Sequence, residues 1–128
     1  MEYSITVDSQ RNLLIVRTEG RINIPSYRSL LLEVFSHPAC KEGYDILIDH
    51  SKSSVGHLYY PDIKAISDLF KMQSNKIDLT QMGVVVREGD YGLGRMWQII
   101  TSDDVQFECF LFKSMDEARN HFVVRQSP

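Results

Sequence analysis

The sequence predicts a single α/β domain over residues 1–128: an α/β sandwich with a mixed, mostly parallel sheet, an N-terminal antiparallel hairpin and four helices. Three observations lead there. From residue 13 onward, β-rich runs alternate with amphipathic stretches, the pattern of strands joined by right-handed helical crossovers. The first two runs, "YSITVD" and "LLIVRTEG", are separated only by the turn formers "SQRN", so they pair antiparallel. The chain, 128 residues at 14.8 kDa with 43% hydrophobic and 24% charged residues, suits one domain with a two- or three-layer core.

After the hairpin, Pro25 fits a first helical turn, and Tyr27, Leu30, Leu31, Val34 and Phe35 recur at helical spacing, giving a helix near 25–36 that Pro38 helps to stop. "YDILID" is a strand at about 44–49 with apolar residues on both faces. A polar stretch from Ser51 to Tyr60 is the longest expected loop. Pro61 opens a helix over 61–74, with Ile63, Ile66, Leu69 and Phe70 inward and Lys64, Asp68 and Lys71 toward water. "MGVVVRE" makes a buried-type strand at about 82–88. In the helix near 90–101, Leu93, Met96, Trp97 and Ile100 form one stripe. A last strand at about 106–112 leads into a helix near 114–124, opened by the capping box Ser114-x-x-Glu117 and packed through Met115, Ala118 and Phe122.

Composition excludes several function classes. Fourteen Lys and Arg against seventeen Asp and Glu leave a net charge of −3 without a basic run, so nucleic acid is not an expected partner. The longest apolar runs fall far short of the roughly 18–20 residues of a membrane span. "MEYSITVDSQ" lacks the basic start and apolar stretch of an export signal, and a cytoplasmic location is expected. Cys40 and Cys109 fit a reducing compartment. His37, His50, His57 and His121 show neither an i, i+4 pair nor a Cys partner, so no metal and no other cofactor is expected.

Two motifs suggest chemistry. Gly92-Leu93-Gly94 follows a strand and opens a helix, as a nucleotide-binding turn does. The third glycine position holds Trp97, the next strand ends at Phe112-Lys113 without a ribose-binding acid, and the Gly-Lys-Ser/Thr of a phosphate loop is absent. Glu88 and Asp90 also occupy the helix start where an anion would sit. Small residues at 92 and 94 are expected instead to let the helix begin close to the sheet or a neighbouring loop. Asp49-His50-Ser51 reads as a triad, yet strand alternation turns His50 away from its neighbours, and no Gly-x-Ser-x-Gly elbow is present. No catalytic residue is expected; the enzymatic alternative has His57 folding back on Asp49 as a base.

The segment "EGDYGLGRMWQIITSDDVQFECFLFKSMDEARNHF" resembles the C-terminal half of bacterial SpoIIAA-like proteins, within the STAS superfamily of sulphate transporter and anti-sigma-factor antagonist domains. The similar parts are a "YG-x-x-RM" helix start, a strand ending in "LF", and a Ser-x-x-Glu-Ala helix; "GYDILIDHS" fits the family's central strand. The resemblance implies a small non-enzymatic binding or regulatory domain, often a homodimer, some members having an apolar pocket and a membrane-facing helix. It also implies a phosphorylatable serine after the central strand. Ser53 and Ser54 stand there, but the match is poor: Lys52 replaces the expected acid, the loop before Pro61 is longer, and an ordinary serine loop accounts for the segment better.

The main functional expectation is an apolar cavity at the carboxyl ends of the parallel strands, bordered by Ser51–Tyr60 and Asp90–Arg95. Arg87 and Arg95 would orient an acidic head group, Leu58, Tyr59, Tyr60 and Tyr91 would cover an apolar body, and Asp49 and Ser51 would stand at the edge. The expected ligand is an apolar or lipid-like small molecule, with peripheral membrane contact through the 61–74 helix. The alternative is a protein-interaction regulator of the anti-sigma-factor-antagonist type, in which the exposed tyrosines meet a protein partner.

Overall fold

The computed structural model describes residues 1–74 and 81–124. β1 (Glu2–Asp8) and β2 (Leu13–Arg21) form the antiparallel hairpin, in register from Glu2 opposite Glu19 to Asp8 opposite Leu13. The turn is closed by Asp8, which accepts from the Arg11 backbone N–H at 3.2 Å and from its guanidinium at 2.9 Å. Asn12 takes the left-handed backbone conformation there (φ 50°), which Asn tolerates better than most residues.

β3 (Asp45–Ser54), β4 (Gln81–Val85) and β5 (Glu108–Phe112) continue from β2 in parallel, giving a five-stranded mixed sheet in the order β1-β2-β3-β4-β5. Each parallel crossover joins adjacent strands in sequence order, so a constant right-handed sense puts every connecting helix on the same face. Those helices are α1 (Ile24–Phe35), α3 (Tyr60–Ser74) and α4 (Tyr91–Ser102), the last preceded by a 3-10 turn at Glu88–Asp90. Their inward stripes meet Leu14, Val16, Ile46, Ile48, Met82, Val84 and Leu111 of the sheet. At the centre lies the fully buried Phe70, whose ring is 6.1, 6.3 and 5.3 Å from those of Tyr27, Phe35 and Trp97. The opposite face carries Leu13, Ile15, Leu47, Val85 and Phe112, packed with Ala118 of α5 (Met115–His121) and with Phe122.

Local chemistry explains the starts of these elements. Asn23 accepts from the Ser26 N–H at 2.9 Å to cap α1, and Ser114 accepts from Glu117 N at 3.1 Å while the Glu117 carboxylate reaches Lys113 N at 3.3 Å. Gly83 is required on β4: a Cβ there would stand 2.6 Å from Phe112 Cε2 and 3.0 Å from Phe122 Cε2.

The architecture departs from the sequence expectation in three ways. There are five α-helices among the described residues, not four, because Pro38 does not simply stop α1. It opens α2 (Pro38–Lys41), whose first turn is capped by His37 Nδ1 accepting from Ala39 N at 3.1 Å. β3 runs on to Ser54, five residues past its expected end, since "SKSS" completes its backbone pairing against Glu19, Gly20 and Arg21 of β2. The expected ten-residue loop therefore shrinks to residues 55–59.

Candidate functional site

The β2–β3 pairing contains one irregularity. Arg17 pairs with Asp49, but the next pair is Glu19 with Lys52, so β3 carries one extra residue opposite Thr18. Such a bulge bends the strand and re-aims its side chains. Thr18 Oγ1 now stands 2.6 Å from His50 Nδ1, 2.6 Å from Ser53 Oγ and 3.2 Å from the Asp49 carbonyl oxygen. On the other side of the imidazole, Nε2 is 2.9 Å from the Tyr27 hydroxyl, on α1. Thr18, Tyr27, His50 and Ser53 are all buried.

One proton arrangement satisfies the whole group. The Asp49 carbonyl can only accept, so it takes the Thr18 proton; Ser53 O–H and His50 Nδ1–H then donate to Thr18, and Nε2 accepts from Tyr27 O–H. This requires a neutral imidazole. Burial supplies that condition by pushing the His50 pKa down to about 4 against the opposing pull of Asp49, and it likewise raises the Tyr27 phenol above its usual value.

His50 and Tyr27 form the polar edge of a recess otherwise lined by apolar side chains: Ile22, Val55, Leu58, Ile63, Ile66, Val84, Val86, Leu93 and Trp97, with Gly94. It lies beyond the carboxyl ends of the parallel strands, beneath the 55–59 loop and against the first turns of α4. The recess is small: the space that a water-sized sphere can occupy is about 50 Å³, room for a few waters, and it opens to solvent on one side. Gly94 shapes one wall, because a Cβ there would fall 2.6 Å from Leu111 Cδ1 and 3.3 Å from Val86 Cγ2. The Trp97 indole Nε1–H is buried and has no hydrogen-bond partner among the described residues.

Of the eight candidate binding residues, only Leu58 lines this recess. Tyr59 and Tyr60 are 75% and 55% exposed. Tyr91 packs on the edge of the core under Lys113, whose ammonium lies 4.8 Å from the ring centroid. Arg87 donates to the Ser53 carbonyl and pairs with Asp90 at 3.4 Å, while Arg95 bonds Gln98 Oε1 at 2.6 Å. Both guanidiniums are thus committed to local partners, and neither lines the recess to meet an acidic head group. Asp49 accepts from Ser51 N at 2.9 Å, two residues along the same strand, and neither residue borders the recess.

The enzymatic pairing of Asp49 with His57 is not assembled. His57 Nε2 is bonded to the Ile22 carbonyl at 2.6 Å, where it ties the 55–59 loop to the end of β2. Nor do the two serines form an exposed loop: Ser53 is fully buried in the Thr18 network, and Ser54, although exposed, is the last residue of β3. Of the Gly-Leu-Gly pair, Gly94 makes the expected close approach, whereas a Cβ on Gly92 would meet nothing within 4 Å.

Tyr27, Thr18 and Trp97 were absent from the expected site because each sits on a stripe that reads as core packing. Thr18 alone left a trace, a polar residue on the inward-facing alternation of β2. Among the described residues no cluster of three or more His, Cys, Asp or Glu could hold a metal ion, and no helix is long and apolar enough to cross a membrane. No family model matches the chain, and a search of the curated proteins finds no match.

Proposed function

We propose that the chain is a non-catalytic binding domain that holds a small apolar molecule in the recess at the carboxyl edge of its sheet. The observation that carries this reading is the lining: an apolar pocket at the edge where open parallel sheets bind ligands, with only His50 and Tyr27 as paired polar groups. A neutral, doubly bonded imidazole and a phenol held as a donor make a poor acid–base pair, and no Ser, Thr or Cys lines the recess as a nucleophile. The strand and helix order supports placing the domain among SpoIIAA-like STAS proteins as part of the same reading. Membrane contact through α3 is not part of it: that helix spends Ile63, Ile66 and Phe70 on the core, and its outer face carries the Lys64–Asp68 ion pair.

The recess is small and open on one side, so an occupant has to be slender and extend outward from it. Trp97, the sole tryptophan, lines it and therefore reports on occupancy. Titration with straight-chain alkanes and methyl ketones of about five to nine carbons, sizes suited to a small cleft, should change its fluorescence saturably. A flat response across the series would remove the reading. A second reading, a protein-interaction regulator or homodimer, draws on the exposed Tyr59 and Tyr60 beside the loop. Sedimentation equilibrium of the chain with and without Tyr59→Ser and Tyr60→Ser tests it, since a self-associating surface there would dissociate on substitution.

A further inference from the structure

We infer that β1 pairs antiparallel with β1 of a second copy of this chain, about a two-fold axis at Ile5, so that two five-stranded sheets join into one. This is independent of what the recess holds. The two edge strands, β1 and β5, differ in how open they are. β5 has only five residues, and its outer side is guarded. Backbone carbonyls alternate in direction along a strand, and that of Phe112 is given to Val86 N at 3.0 Å. The Cys109 carbonyl therefore faces outward, where Gln98 Nε2 of α4 takes it at 2.8 Å. β1 has seven residues in unbroken register with β2, and "EYSITVD" contains no proline, lysine or bulge, the devices that keep an edge from pairing with another chain. Among the described residues no strand pairs with its outer side.

The side chains of β1 complement themselves. Pairing with β2 puts Tyr3, Ile5 and Val7 on the helix-bearing face, opposite Thr18, Val16 and Leu14, and Ser4 and Thr6 on the other face, opposite Arg17 and Ile15. An antiparallel register centred on Ile5 engages all seven residues. It sets Tyr3 against Val7 and Ser4 against Thr6, each twice, and Ile5 against its own copy. Aromatic with β-branched residues, and Ser with Thr, are cross-strand pairs that stabilise sheets. Each pair shares one face, so both helix layers lie on the same side of the joined sheet. Val7, 46% exposed, gains a neighbour from the second copy, and Tyr3 is already tethered by the bond of its hydroxyl to the Glu33 carboxylate of α1. Glu2 against Asp8 is the one like-charge pair, and it is offset by the Arg11 guanidinium, bonded to Asp8 at 2.9 Å.

Sedimentation equilibrium of the whole chain at several loading concentrations tests this. A single strand edge makes a small interface, and a monomer–dimer equilibrium in the micromolar range is expected. Ser4 and Thr6 are exposed, so charges can be placed there without disturbing the core. Ser4→Glu/Thr6→Glu sets glutamate against glutamate twice and should weaken dimerisation by about tenfold or more. Ser4→Glu/Thr6→Lys sets glutamate against lysine twice and should restore it. Amide exchange of the native chain needs no variant: protection of alternate β1 amides should rise with protein concentration. A native chain that stays monomeric, or a dimer whose β1 amides exchange at the same rate at every concentration, overturns the inference. A dimer that the double glutamate leaves intact, or that the opposite-charge variant does not regain, overturns it as well. Loss of the dimer on Tyr59→Ser and Tyr60→Ser, with both β1 variants unaffected, overturns it in favour of an interface at the 55–59 loop.

Discussion

The Tyr27 hydroxyl lies 2.9 Å from His50 Nε2, and this bond joins α1 to the centre of the sheet across the polar edge of the recess. Among the described residues it is the only partner of Nε2, since Nδ1 is turned to Thr18. Removing the hydroxyl with Tyr27→Phe leaves a buried acceptor unsatisfied while keeping the ring and its packing on Phe70. The expected cost is about 1–3 kcal/mol of unfolding free energy, read from urea denaturation midpoints at neutral pH. Unchanged stability would mean that water or another donor replaces the phenol.

Acid should weaken the fold through the same imidazole. His50 titrates near 4 when folded and near the ordinary 6.5 when unfolded, so between those values the unfolded chain binds the additional proton. Stability is therefore intact above about pH 6.5 and falls as pH drops toward 4, by about 2 kcal/mol between pH 7 and pH 5. Denaturation midpoints across that range should slope accordingly in the native chain. His50→Gln, which cannot titrate there, should flatten the slope by that amount whatever its absolute stability.

The part of this chain that was legible in the sequence is the part governed by periodicity. The hairpin, the alternation of strands with helices, and the inward stripes of α1, α3 and α4 follow from apolar spacing that local geometry must obey. The bulge opposite Thr18 leaves no such trace, because one extra residue in a ten-residue strand changes pairing without changing composition. The polar "SKSS" resembles a loop, yet its backbone is satisfied by β2, and a strand's continuation depends on that partner as much as on its own side chains. The carboxyl edge of the sheet was legible as the place for a cavity. Its walls were not, since Ile63, Ile66 and Trp97 serve packing and lining alike, and the more conspicuous tyrosines of "HLYYP" turned outward.

The two glycines that open α4 should respond oppositely to alanine. At position 92 an added Cβ meets nothing within 4 Å, so Gly92→Ala should raise stability by some tenths up to about 1 kcal/mol through helix propensity. At position 94 the Cβ would press on both Leu111 methyls, at 2.6 and 3.0 Å, and on Val86 at 3.3 Å. Overpacking of about 1–3 kcal/mol there outweighs a helix gain of about 1 kcal/mol. Thermal unfolding of the two variants would show the contrast; equal effects would refute the close approach of α4 to the sheet.

Both cysteines should be inert while the chain is folded. Burial pushes the Cys40 and Cys109 thiols up to about 11, a nearby Ser102 hydrogen bond working weakly against it at Cys109, and Cys40 Sγ donates to the Val34 carbonyl at 3.1 Å. The thiolate is the reactive form, so alkylation by iodoacetamide at mildly alkaline pH should be slow in the native protein and complete at both positions in denaturant. Rapid native labelling of either one would show that its part of the core opens readily.

Ligand length should follow Leu58. This residue, 6% exposed, lines the recess from the 55–59 loop, whereas its neighbour Tyr59 is 75% exposed and does not reach it. Leu58→Ala deletes three carbons from the wall, and the loop that carries them is held in place by the His57 bond to Ile22 and the turn from Val55 to Leu58 at 2.9 Å. The space should therefore persist instead of collapsing, and the preferred chain among a series of methyl ketones should lengthen by about three carbons, the number removed. Tyr59→Ala should leave the length profile as it is. A Leu58→Ala profile unchanged from the native one would mean that the ligand sits elsewhere, and equal shifts from both variants would mean that the loop moves as a unit when the recess fills.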